Sequence, residues 1–148
     1  MGISHDVKVH MTQTRLLVSD LPAAFRYYRD VIGLRPMYDP PQSHYAAFVP
    51  DHGSAVALHD RAALAALLGP ALRTAGDRGP DHALLVLRVD DLDAYAAEVT
   101  ERGGQILAGP VLHGDRVRAA YLRDPDGNLI EIQQWLVTRD GGPVPAAS

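Results

Sequence analysis

Asp124-Pro125-Asp126-Gly127-Asn128-Leu129-Ile130-Glu131 is the stretch whose reading decides the fold. Pro125 fixes φ, Asp126 can bond the backbone ahead, and Gly127 accepts a positive φ, so two strands reverse tightly here. In the strand that follows, Ile130 and Ile132 take one face, while Leu129, Glu131, Gln133 and Trp135 take the other. The turn therefore joins a strand over Val117 to Arg123 with one over Leu129 to Leu136, and delivers a carboxylate onto a mixed face.

Working outward, the second half begins with Ala83, Leu85, Leu87 and Val89 on one strand face. Asp91 then caps a helix whose stripe is Leu92, Tyr95, Ala96 and Val99, closed by Gly103-Gly104. With a further strand candidate at Gln105 to Leu107, the order is βαβββ. The first half repeats it. Thr12, Thr14, Leu16 and Val18 alternate with Met11, Gln13, Arg15 and Leu17; Ser19-Asp20 caps a helix with Leu21, Ala24, Phe25, Tyr28 and Ile32 in its stripe, closed at Gly33. Short strands are then predicted over Gly33 to Tyr38, Tyr45 to Val49 and Ala55 to His59. Val18-Ser19-Asp20-Leu21 echoes Val89-Asp90-Asp91-Leu92, as expected of a duplicated unit. The expected class is α+β, with a first module over about 9–60, a linker with a short helix over 61–80, and a second module over about 81–137. The tail from 138 to 148, with Gly141-Gly142-Pro143, is expected to be loose.

Composition narrows the function. The chain has 148 residues, 47% hydrophobic and 22% charged, which suits one globular domain. A net charge of -4 with interspersed Lys and Arg leaves no basic stripe for a phosphate backbone, so nucleic acid is not the expected partner. There is no cysteine, so any metal must use nitrogen and oxygen ligands. No apolar run approaches the roughly 20 residues that span a bilayer, and Met1 to His10 has no apolar signal core. The expectation is a soluble, cytoplasmic protein that does not enter membranes. No phosphate loop, nucleophile elbow or His-x-x-x-His helix pair is present.

Two βαβββ modules, the capped Val18-Ser19-Asp20 helix carrying Phe25-Arg26-Tyr27-Tyr28-Arg29-Asp30-Val31-Ile32-Gly33-Leu34, and Asp124 to Glu131 together resemble the vicinal oxygen chelate (VOC) superfamily, the glyoxalase/bleomycin resistance protein/extradiol dioxygenase fold, from about Thr12 to Trp135. The resemblance implies a mixed β-sheet cupped around a small-molecule pocket. In metal-binding members the ligands come from the first and last strand of each module. Gln13, seven residues before the capping Asp20, and Glu131 fall on two of these positions; Ala57 and Leu84 fall on the others and cannot bind a metal. His59 and His82 each stand two residues from such a gap on the same strand face, about 6.6 Å along the strand. The implied ligand set is Gln13, Glu131 and His59, with His82 as an alternative, around Ni, Mn, Fe, Co or Zn; otherwise no cofactor is implied. The plainer reading of His82 is a histidine capping a strand start.

Arg15 shares a face with Gln13. It has three fates: snorkelling at the cup mouth, a salt bridge with Glu131, or a clamp for a ligand carboxylate, phosphate or oxyanion. Leu84, Val86, Tyr121, Gln133 and Trp135, with Tyr45, are candidate pocket walls, although aromatics in such strands also serve as plain core. Leu17 occupies the position where glutathione-using relatives carry arginine, which counts against glyoxalase I itself. Histidines 5, 10, 44, 52 and 113 have no spacing that makes a ligand set.

Two functions remain open, of which the first is the expected one and the second its alternative. One is a metal-dependent isomerase, epimerase or lyase that moves a proton through a metal-stabilised enediolate, with Glu131 or His59 as base. The other is a metal-free binding protein of the bleomycin-resistance type that sequesters a drug or natural product. An extradiol dioxygenase would need histidines where the chain has Gln13 and Leu84. A homodimer is implied by the resemblance.

Overall fold

A computed structural model describes residues 11–72, 81, 83–138 and 140–145. Strand β1 (Gln13–Val18) runs into α1 (Leu21–Arg26), capped by the Asp20 carboxylate, which accepts the Ala23 N–H at 3.1 Å. A π-helical turn over Tyr27–Ile32 continues it, closed by the Gly33 N–H on the Tyr28 carbonyl. Strands β2 (Tyr45–Phe48) and β3 (Ala55–Asp60) and helix α2 (Arg61–Leu68) complete the first half. The second half holds β4 (Leu84–Arg88), α3 (Leu92–Glu101), β5 (Ala108–His113), β6 (Val117–Arg123) and β7 (Leu129–Trp135). Asp91 caps α3 as Asp20 caps α1, accepting the Ala94 N–H at 3.0 Å.

The strands form two mixed sheets, ordered β1-β3-β2 and β4-β7-β6-β5. In each, the strand before the helix pairs in parallel with the last strand of the module, and the remaining pairs are antiparallel. The duplication read from the sequence is therefore real at the level of topology. Two strand expectations need correction. Gly33 to Tyr38 contributes a single bridge, Pro36 to Phe48, because its backbone hydrogen bonds reach only Ala47 and Val49 before the chain turns away. The strand placed at Gln105 to Leu107 begins instead at Ala108 and continues through Gly109-Pro110, with a register shift between Ala108 and Val111. The tail expected to be loose carries a turn: Thr138 exchanges backbone hydrogen bonds with Gly141 and Gly142.

One face of each sheet builds a shared core. Val18, Phe48, Val56 and Leu58 pack with Phe25 and Tyr28 from the first module, and with Leu85, Leu92, Leu122, Ile130 and Ile132 from the second. The Asp124 to Asn128 turn fastens the modules together. Asp124 is buried, and its carboxylate accepts the Asp126 and Asn128 N–H groups, the Asn128 side-chain amide and the Tyr28 hydroxyl. Asp126, expected to bond the backbone ahead, instead accepts the Ser19 N–H at 2.9 Å and its hydroxyl at 2.6 Å. Tyr27 adds a hydrogen bond to the Arg123 carbonyl, and Tyr95 one to that of Ile32. The tyrosine hydroxyls stay protonated: burial, with Asp124 close by, pushes Tyr27 up to about 12 and Tyr28 well beyond the ordinary tyrosine range.

Candidate functional site

The candidate residues lie on the other face of each sheet, away from the core. On the first sheet, strand pairing sets Gln13 beside Ala55, Arg15 beside Ala57, and His59 beside both Leu17 and Tyr45. Tyr45 reaches diagonally past the buried Ala57 and donates its hydroxyl to Gln13 Oε1 at 3.0 Å. Ala57 thus lies between the two residues in the strand register. Arg15 places Nε 3.4 Å from Gln13 Oε1 and Nη1 3.4 Å from His59 Nδ1, with its guanidinium 5.4 Å from the centre of the Tyr45 ring. Since a guanidinium only donates, His59 Nδ1 is the acceptor and the ring proton sits on Nε2. Among the described residues Arg15 has no acidic partner, whereas Arg29, Arg35, Arg88, Arg102, Arg118 and Arg123 each have one.

On the second sheet a file of side chains converges on Glu131. The Tyr121 hydroxyl donates to Oε1 at 2.7 Å and Gln133 Nε2 to Oε2 at 2.8 Å. Trp135 Nε1 donates in turn to Gln133 Oε1 at 2.6 Å. His113 Nε2 lies 2.6 Å from the Tyr121 hydroxyl, whose proton is committed to Glu131, so His113 donates from Nε2. Glu131 is largely enclosed, 13% exposed at its side chain, and His113 is half-exposed beside it. Hydrogen bonding to Glu131, then burial and the carboxylate's charge, push the Tyr121 hydroxyl up to about 12. A phenol whose folded value lies above its unfolded value of about 10 stabilises the fold below that pH, and the contribution is lost as pH rises toward 12. Glu131→Gln is expected to return Tyr121 toward about 10. An alkaline titration of phenolate absorbance, with Tyr121→Phe subtracted, checks it; an unchanged titration contradicts the file.

The structure thus brings Gln13, Arg15 and His59 together with Tyr45, and gathers Tyr121, Glu131, Gln133 and Trp135 into a second group. No hydrogen bond, ion pair or ring contact among the described residues joins the two groups, so of the three fates open to Arg15 the salt bridge with Glu131 is not formed. Leu84 and Val86 share the face of Glu131 on β4, at 42% and 48% exposure. His82 lies outside the described residues. A groove of about 370 Å³ opens at the ends of β4 and β7, between Arg88, whose guanidinium lies 4.5 Å from the Trp135 ring centre, and Val144-Pro145. Sequence reasoning missed His113, which the misplaced strand left in a loop; the alternation of Val111 and His113 was its only signal.

These donors do not fit a divalent ion as the chain arranges them. Gln13 and His59 turn their lone pairs toward a guanidinium, whose charge repels a cation, and Ala57 and Leu84 offer nothing. Both Glu131 oxygens already accept strong hydrogen bonds. Among the described residues no group of three or more His, Asp or Glu is placed to hold a metal.

Residues 9–132 match the sequence profile described as the Glyoxalase/Bleomycin resistance protein/Dioxygenase superfamily. The chain is 31% identical over 130 residues to the uncharacterized protein YraH of Bacillus subtilis, covering 85% of this chain and 98% of that one. It is 28% identical over 138 residues to the lactoylglutathione lyase of Haemophilus influenzae, covering 90% and 98%. Among solved structures it resembles TnmS3, an antibiotic binding protein from Streptomyces sp. CB03234, with a TM-score of 0.64, 29% identity, and coverage of 88% of this chain and 99% of that one.

Proposed function

The chain belongs to the Glyoxalase/Bleomycin resistance protein/Dioxygenase superfamily, and from that premise we propose that it is a metal-free binder of a small organic molecule. One observation carries the reading: Arg15 takes up the lone pairs of Gln13 and His59, two of the three side chains that a metal would need. The positive charge of this site is built into the polypeptide. The likeness to an antibiotic binding protein supports the same reading. Half-exposed Leu84 and Val86, with Tyr121, Gln133 and Trp135, supply apolar and stacking surface on the second sheet.

The two groups are complementary. The first presents a cation and N–H donors, the second a carboxylate. A homodimer that set the first sheet of one copy against the second sheet of its partner would enclose a ligand between them. No helix among the described residues is long and apolar enough to cross a membrane.

The second reading is the metal-dependent isomerase or lyase. It is favoured by Gln13 and Glu131, which the family resemblance sets at ligand positions, and by the likeness to the lactoylglutathione lyase of Haemophilus influenzae. Metal analysis of untagged protein decides between them. The expectation is below about 0.1 equivalent of transition metal per chain, unchanged by Gln13→Ala or Glu131→Ala, since the cluster offers no open donor set. Near-stoichiometric metal that both substitutions abolish would overturn the binding reading in favour of the enzyme. Quenching of Trp135, the sole tryptophan, reports on candidate ligands directly.

A further inference from the structure

We propose that the Gln13, Arg15, His59 and Tyr45 cluster is a monoanion site that takes the carboxylate of a planar, unsaturated ligand, with Arg15 as its clamp. The inference rests on the metal-free reading and names the ligand class for it.

Gln13 Oε1 is occupied by the Tyr45 hydroxyl and by Arg15 Nε, and His59 Nδ1 by Arg15 Nη1. Apart from the Tyr45 hydroxyl oxygen, what the cluster has left to offer is donors: the Arg15 Nη2 pair, the Gln13 side-chain amide and His59 Nε2–H. No acid neutralises Arg15 among the described residues, and its side chain is exposed. A site left with one full positive charge and a surplus of N–H groups is complementary to an anion. Guanidinium presents parallel donors that match the two oxygens of a carboxylate. The charge count selects among anions: a phosphate dianion would call for a second cation, and the cluster has only one, flanked by neutral donors. The ligand's body is constrained by the Tyr45 ring beneath the guanidinium, which favours a flat π-system next to the acid.

The probe pair is 1-naphthoate and its uncharged isostere 1-naphthamide, titrated calorimetrically into the full chain. Wild type is expected to bind naphthoate about ten-fold more tightly, the size of one charged hydrogen-bonded contact. Arg15→Met should erase that preference, so that the two probes bind alike, and Arg15→Lys should keep only part of it, because the charge survives without the paired donors. Arg15 is exposed, and circular dichroism verifies that the variants fold. Equal binding of both probes by wild type, or a preference that survives Arg15→Met, overturns the clamp and leaves the metal-free binding reading standing. No naphthoate binding at all also overturns it. If the same protein takes up stoichiometric Zn²⁺ that Glu131→Ala abolishes, the parent reading falls as well.

Discussion

Asp124→Ala is expected to lower the unfolding free energy by about 3 kcal/mol, a fall of roughly 10 °C in Tm. The carboxylate is buried and accepts four hydrogen bonds, two from backbone N–H groups, one from the Asn128 amide and one from the Tyr28 hydroxyl. Water can replace it for the turn's partly exposed N–H groups. It cannot easily do so for Tyr28, whose side chain is fully buried across the module boundary. An unpaired buried hydroxyl costs its full desolvation, about 1 to 3 kcal/mol, and the lost charged hydrogen bonds in the turn supply the remainder. Tyr28→Phe removes the donor along with the bond, so its expected loss is only about 1 kcal/mol. In the double variant the two losses should fall short of additivity, because the orphaned hydroxyl is gone. Urea unfolding of the four proteins checks this. A loss below about 1 kcal/mol for Asp124→Ala would mean that the turn is an ordinary hairpin and does not hold the modules together.

That outcome bears on what the sequence could disclose. The turn, the two capped helices and the inward and outward faces of β1, β3, β4 and β7 were legible, because each follows from local chemistry or from the period of the strand. The partners of those residues were not. Asp124 takes the backbone-bonding role expected of Asp126, and Asp126 turns to Ser19, because Ser19 and Tyr28, about a hundred residues earlier, lie against the turn. Periodicity put Gln13 with Arg15 on one face of its strand and His59 with Ala57 on one face of its own, but only the lateral pairing of β1, β3 and β2 shows Tyr45 crossing Ala57 to reach Gln13, and Arg15 taking the lone pairs that the family resemblance assigned to a metal. Gln13 and Glu131 were read as converging; in the chain they head two separate groups.

Gly109→Ala is expected to destabilise the chain by about 3 kcal/mol or more, and the reason also explains why β5 was misplaced. Gly-Pro reads as punctuation, so the strand was expected to end before it. In the fold, Gly109 lies at the register shift of β5, at φ 100, where the strand comes close to β6. A Cβ there would stand 2.6 Å from the Ala119 carbonyl oxygen and 2.9 Å from the Ala120 Cα. These are backbone atoms in the middle of the sheet, paired to β7, and no rotamer change can move them. Gly53→Ala is the control, since that residue also has a positive φ, 98, but nothing lies within 4 Å of the added methyl; its loss should stay at about 1 kcal/mol, the strain alone. The difference between the two variants isolates the close approach of β5 to β6. Thermal unfolding measures it, and equal losses would refute the steric account. Because Gly109 begins the segment that carries His113 to Tyr121, the folded fraction of Gly109→Ala should lose the His113 contact while Tyr121, held by the untouched pairing of β6 with β7, keeps its raised ionisation. A Tyr121 titration that fell together with stability would instead make His113 an integral support of the carboxylate file.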